Sequence, residues 1–233
     1  MQRDIITIPH GLIKPTSLDW DIDWRGQSAG DSTAGVTQVI YNAFPRWVGS
    51  PTILLTRAAI PQWRAIRLSL QGRRNVLRVR MCDIAFGRAQ AGLTKEELAS
   101  GLSFSSGVKF STGKGVFADP FCVATADAAA GDTQITVDCS SHGVAPVPGQ
   151  IMSADDWPFA VTAVTSEGGD VYTLDVTMPL RAAVAAGDLV MMTGYGRFEL
   201  TDESSGRAAY DYTRVATTTI SLIEVIDPNG RGD

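Results

Sequence analysis

Val171-Tyr-Thr-Leu-Asp-Val-Thr177 is a short, β-branched run bounded by Gly168-Gly-Asp170 before it and Pro179 after it. Such a run between turn residues reads as a strand. Three more runs of the same kind stand nearby: Thr133-Gln-Ile-Thr-Val137, Phe159-Ala-Val-Thr-Ala-Val164 and Leu189-Val-Met-Met192. Four short strands at this spacing predict a small antiparallel barrel or sandwich. The tetrapeptide Ala-Ala-Gly-Asp occurs at 129–132 and 185–188, each time just ahead of a strand. Both copies read as turns, and four residues are too few to count as a repeat.

Outward from this region the β character persists. Trp20-Asp-Ile-Asp-Trp24 alternates, and a strand there would put Trp20, Ile22 and Trp24 on one buried face. Val76-Leu-Arg-Val-Arg-Met81 reads likewise, with Arg78 and Arg80 outward, and Thr217 to Ile226 reads as one long final strand. Two helices interrupt the pattern. Pro61 suits a first helical turn, Trp63, Ile66 and Leu70 share one helical face, and Gly72 can close the end. A strand through Ala65 to Leu70 is the alternative. Thr94 and Glu97 match a capping box for the second helix.

The composition divides the chain near 118. Residues 1–118 hold 15 Lys/Arg against 8 Asp/Glu, and residues 119–233 hold 5 against 17, so the halves carry +7 and −12. Between Phe121 and Tyr195 the only basic residue is Arg181. From Gly196 the mixed composition of the first part returns. The expectation is a mainly β chain: an antiparallel β-sandwich domain over 1–118 and 196–233, with one or two short helices, interrupted by a small β-barrel or sandwich module over 119–195. At 233 residues such a fold needs no disulfide or metal staple. Cys82, Cys122 and Cys139 are an odd number without metal-ligand spacing, and are expected as buried free thiols. No apolar run approaches the ~20 residues of a membrane helix, and the N-terminus lacks the pattern of a signal peptide.

Motifs for chemistry mostly fail on inspection. His10 and His142 stand in turn-like sequence without a nucleophile motif, so no catalytic residue is expected. Gly107-Val-Lys-Phe-Ser-Thr-Gly-Lys-Gly115 resembles a phosphate loop, but Val108 replaces its first glycine and Gly115 its hydroxyl residue. Asp19, Asp21 and Asp23 could open a calcium loop, which would then need Gly and a carboxylate where Trp24 and Gly30 stand. Asp155-Asp156 beside Trp157 contains the parts of a carbohydrate site, and equally those of an exposed loop anchored by the indole. Arg231-Gly232-Asp233 repeats a tripeptide known for cell adhesion, here read as a flexible tail. Arg73 and Arg74 with Arg78 and Arg80 form a basic cluster without interleaved aromatics, weak as a nucleic-acid surface. It is a candidate interface instead. No metal and no cofactor is expected.

The order of short motifs resembles a family of phage tail proteins. The Trp20–Trp24 strand is followed by Thr37-Gln38, Arg46-Trp47, Ile53-Leu-Leu55, a Trp63 segment and Leu70-Gln-Gly-Arg-Arg-Asn-Val-Leu77. Val171-Tyr-Thr-Leu-Asp-Val-Thr-Met-Pro-Leu-Arg181 followed by Ala186-Gly-Asp-Leu-Val190 is similar to another passage of those proteins, and Ile220 to Val225 to their closing strand. The resemblance implies a structural, non-enzymatic virion protein of the distal tail protein type, made in the host bacterial cytoplasm and carried in the tail tip or baseplate of a long-tailed phage. It implies a homo-oligomeric ring, six-fold favoured over three-fold, between the tail tube protein and the hub or tip proteins. DNA would pass through its channel, with no membrane insertion. The inserted module would face outward for attachment or docking. The alternative expectation is a carbohydrate- or receptor-binding β module of a virion.

Overall fold

The computed structural model describes residues 3–9, 11, 12, 14–31, 37–40, 44–83, 86, 101–116, 119–141, 143–209 and 215–226. Strands β1 (Ile5–Thr7), β2 (Lys14–Ser17), β3 (Asp21–Asp23), β4 (Gln27–Asp31), β5 (Thr37–Ile40), β6 (Arg46–Gly49) and β7 (Thr52–Thr56) precede helix α1 (Ala59–Leu70) and β8 (Val76–Arg80). Then follow β9 (Phe121–Ala124), β10 (Gln134–Asp138), β11 (Ile151–Ala154), β12 (Trp157–Gly168), β13 (Val171–Thr177) and β14 (Leu189–Met191). The chain closes with β15 (Tyr195–Leu200), β16 (Val215–Thr219) and β17 (Leu222–Glu224). The fold is mainly β, and α1 is the one helix among the described residues. The second expected helix, at Thr94, lies outside them.

The chain forms two compact units, residues 1–79 with 197–233 and residues 80–196. The compositional boundary at 118/119 and this division differ by the segment 80–118, which groups with the barrel. The first unit is discontinuous. Its larger sheet has the order β1-β8-β15-β17-β6-β3, a second has β16-β7-β2, and β4 and β5 pair alone. The pairs β15–β17, β17–β6, β6–β3, β16–β7, β7–β2 and β4–β5 are antiparallel, whereas β1 and β8 run parallel with Ile5 opposite Val76.

Helix α1 is the predicted one, and the alternative strand is excluded. Trp63, Ile66 and Leu70 are its buried face, while Pro61 sits in the first turn, where a missing N–H costs nothing. The end is built by Gln71 and Gly72, both left-handed at φ 48° and 73°. Asn75 then donates from Nδ2 to Ser69 O at 2.9 Å and accepts the Asp4 N–H at 3.2 Å, fixing the helix exit to β1. Trp63 is fully buried and donates from its indole to Gly206 O at 2.9 Å. A Cβ on Gly206 would lie 2.8 Å from the Trp63 ring, and its φ of +71° also favours glycine.

Two sequence expectations need correction in this unit. The Trp20–Trp24 run does form β3, but only Trp20 and Ile22 are partly buried. Trp20 lies against Gly49, whose missing Cβ makes the room, and its ring centroid is 5.3 Å from Phe198. Trp24 falls beyond the strand and is 50% exposed. The final strand is two strands in different sheets. At Ile220-Ser221 the backbone bonds to Pro51 O at 3.0 Å and to Ser205 Oγ at 2.6 Å, so the chain leaves the β7 ladder and enters that of β6 and β15. Periodicity alone cannot see such a change of partners, because both pieces keep the alternation.

The second unit contains a closed barrel in the order β10-β13-β12-β11-β14-β9. All four strands predicted here exist, and β9 and β11 join them. Cys122, Val137, Met152, Phe159, Leu174 and Val190 are among its buried core residues. The repeated tetrapeptide proves to be structural. Ala129 N–H and Ala185 N–H donate to Asp132 Oδ2 and Asp188 Oδ2 at 2.7 and 2.8 Å, and Gly131 and Gly187 adopt φ 96° and 97°. Four further backbone bonds correspond in pairs: Gly131 N–H to Leu180 O and Gly187 N–H to Ala124 O, Leu180 N–H to Asp132 O and Ala124 N–H to Asp188 O. Ala128 and Val184 bridge each other between the two turns. The turns are thus related by a local two-fold axis through that bridge.

Candidate functional site

The barrel carries a cleft of about 300 Å³. One wall is the hairpin of β11 and β12, which turns through Asp155-Asp156 so tightly that Ala154 already pairs with Trp157. Asp155 takes φ 53°, a conformation that Asp tolerates better than most residues. The facing wall is Pro179 to Val184, together with Asp188 and Leu189 from the second Ala-Ala-Gly-Asp turn. Buried Phe159, Leu180 and Val184 contribute its apolar side. Asp155 and Asp188 bring carboxylates, Trp157 an indole, and Arg181 a guanidinium. Among the described residues its lining holds no hydroxyl, thiol or imidazole. The arrangement suits binding of a small polar molecule with an apolar face. Of these residues, Asp155 and Trp157 were singled out in the sequence; Arg181 and Asp188 were not, although an only basic residue and a repeated turn were the available signals.

A second cluster closes the base of this unit. Arg80 Nη2 lies 3.3 Å from Asp119 Oδ1 and donates to Thr193 Oγ1 at 3.0 Å, and Tyr195 O–H donates to Asp119 Oδ2. The Asp119 side chain keeps 3% of its exposure and that of Arg80 18%. Met81 N–H donates to Gly194 O at 2.8 Å. A Cβ on Gly194 would lie 2.7 Å from Ile151, so glycine lets these strands meet.

The structure places the four arginines of the predicted basic cluster in different local settings. Arg73 pairs with Glu199 at 2.8 Å, and Arg3 reaches the other oxygen of that carboxylate at 2.9 Å. Burial opposes ionisation of Glu199, but the hydrogen bonds and charges of Arg73 and Arg3 outweigh it and hold its carboxyl below the usual range. Arg74 is exposed and donates to Gln71 Oε1 at 2.7 Å. Arg78 is half-buried on β8, and Arg80 belongs to the second unit and to the Asp119 cluster. The sequence expected Arg80 to face outward for a partner; its buried carboxylate neighbour draws it in.

The remaining motifs resolve locally. Asp19, Asp21 and Asp23 each accept a backbone N–H, from Ser50, Ile22 and Arg25. The stretch around Gly107–Gly115 is a hairpin closed by Leu102 and Val116, with Phe104 and Phe110 edge to face at 5.0 Å. Phe104, Val108, Phe110 and Val116 are exposed there. Cys122 and Cys139 are buried and free, and Cys82 is partly exposed. Among the described residues no group of three or more His, Cys, Asp or Glu converges on a point, and no helix is long and apolar enough to cross a membrane. His10, His142 and Arg231–Asp233 lie outside the described residues.

Among the described residues of the first unit, exposed large apolar side chains lie on α1 (Leu68), on β1 and β16 (Ile5 and Val215), and on and beside the β4–β5 ribbon. Val39 and Ile40 are 46% and 60% exposed, and Trp24 before the ribbon and Phe44 after it are also exposed. Successive strand residues point to opposite faces, so these two exposed side chains project from both faces of β5. Comparison of the chain with protein-family models and with curated proteins finds no match.

Proposed function

We propose that this chain is a structural component of a phage tail tip, of the distal tail protein type, that closes into a ring between the tail tube and the host-facing tip. The β4–β5 ribbon is the observation that supports this reading most. A two-stranded ribbon is marginally stable alone, and clustered exposed apolar residues mark an interaction surface. A second copy of the chain covers it in the proposed ring through a head-to-tail contact, which uses two unlike patches and closes by rotation. The unequal charges of the two halves steer that encounter more than they set its affinity. A hexamer is favoured over a trimer. The tail tube and hub proteins are the further proposed partners, and DNA meets the ring only in passage.

Mass photometry with negative-stain imaging tests this on the whole chain across a concentration series. Rings are expected, and paired Val39→Ser and Ile40→Ser changes should abolish them while the monomer stays folded. A monodisperse monomer at every concentration overturns the proposal. The second reading, a carbohydrate- or receptor-binding module, draws on the Trp157 cleft. Binding of a glycan that is lost on Trp157→Ala, by a chain that forms no ring, would favour it.

A further inference from the structure

Cys122 and Cys139 face each other inside the barrel. The β9–β10 register pairs Val137 with Ala124 and Asp138 with Val123, and one more step along both strands sets Cys139 opposite Cys122. Opposed residues on antiparallel strands alternate between hydrogen-bonded and non-hydrogen-bonded pairs. Thr125 N–H donates to Thr136 O at 2.9 Å, so that pair is hydrogen-bonded. Counting along the ladder makes 124/137 non-bonded, 123/138 bonded and 122/139 non-bonded.

An independent bond agrees: Cys139 N–H donates away from β9, to Asp170 O at 2.9 Å. Non-bonded pairs hold their Cα atoms about 4.5 Å apart with side chains at their closest, inside the disulfide range of about 4.4–6.8 Å. Both thiols are fully buried, on the side of Ala124 and Val137.

We propose that Cys122 and Cys139 form an oxidisable dithiol site that takes a low-molecular-weight disulfide as oxidant and becomes a cross-strand disulfide. Reaction begins when local opening of the β9–β10 ladder exposes one thiol, which loses its proton to solvent. Its thiolate attacks a sulfur of the reagent, the reagent's S–S bond breaks, and one thiolate leaves. The second cysteine, deprotonated in turn, attacks the protein sulfur of the mixed disulfide and expels the second thiolate. Two cysteines are oxidised by two electrons, and the reagent is reduced to two thiols that take up the two protons. A hydrogen bond with Cys139 and then burial push the Cys122 thiol far above its ordinary range. The closed barrel therefore reacts slowly and keeps its dithiol wherever reductant is present. The site needs only the barrel, so it stands whether or not the chain forms a ring.

The test uses the full chain with Cys82→Ser, incubated with oxidised glutathione, then alkylated under denaturing conditions and mapped by mass spectrometry. The expected product is a single linked peptide pair containing Cys122 and Cys139. Its thermal midpoint should be higher by at least about 5 °C, and reductant should reverse the shift. Cys139→Ala, a small substitution in the same core, should remove both the linkage and the shift. If both thiols alkylate fully after incubation at a temperature where the barrel opens, the proposal is overturned. Stable glutathione adducts in place of the linkage overturn it equally.

Discussion

The two units solve the same β problem in opposite ways. In the barrel every strand has two neighbours, so no row of backbone donors and acceptors is left at an edge. Among the described residues the first unit leaves edges at β1 and β3, at β16 and β2, and along the β4–β5 ribbon. The barrel completes its own hydrogen bonding; the first unit presents strands that another chain can extend. Under the proposed ring, that contrast would give the barrel the greater stability and the first unit the assembly contacts.

The sharpest way to break the contrast is to damage the barrel core. Phe159→Ala empties a fully buried site and should cost about 3–5 kcal/mol. Calorimetry should show the loss confined to one transition, with the other unchanged. A single transition that moves as a whole would mean that the units share their stability.

Asp119→Ala should come next. It leaves Arg80 beside an emptied site, and the expected cost is about 2–3 kcal/mol, at the low end because Arg80 retains some solvent. Urea unfolding followed by tryptophan fluorescence measures it. An unchanged midpoint would remove Asp119 as the fastener of Arg80 to Tyr195 in the second unit.

Glu199 sets a smaller effect in the first unit. Its folded pKa lies below its unfolded one, so its stabilisation is present above about pH 4.5 and is lost as pH falls through the folded value. Thermal midpoints of the first unit should therefore drop on acidification, and Glu199→Gln should flatten that drop. A variant with the same acid limb as the parent would show that the Arg3–Glu199–Arg73 group contributes little. Smallest of all, Val39→Ser with Ile40→Ser should move monomer stability by less than about 0.5 kcal/mol, since exposed positions contribute little. A large loss would show the ribbon to be packed rather than available.

Much of this architecture was legible because it rests on local chemistry. Trp63, Ile66 and Leu70 predicted α1, and the β-branched runs predicted β10, β12, β13 and β14. What escaped depends on partners distant in sequence. Thr217 to Ile226 keeps a strand pattern across a change of sheets that only Pro51 and Ser205 impose. Both Ala-Ala-Gly-Asp copies were legible as turns, but not that Ala128 and Val184 bridge between them. Arg80 looked like surface because nothing in Val76 to Met81 foretells a carboxylate at 119. The cleft was half legible, through Asp155 and Trp157, while its other wall arrives from residues 179–189.

The meeting of Arg80 and Met81 with Thr193, Gly194 and Tyr195 has an evolutionary consequence. A unit whose first and last residues are fastened to each other by its own bonds is an exchangeable cassette. Recombination that cuts at those two neighbouring points can replace everything between them while each side keeps its ladders. A lineage under pressure to change what its barrel contacts can then do so in one step, without rebuilding the sheets that carry α1 and the ribbon.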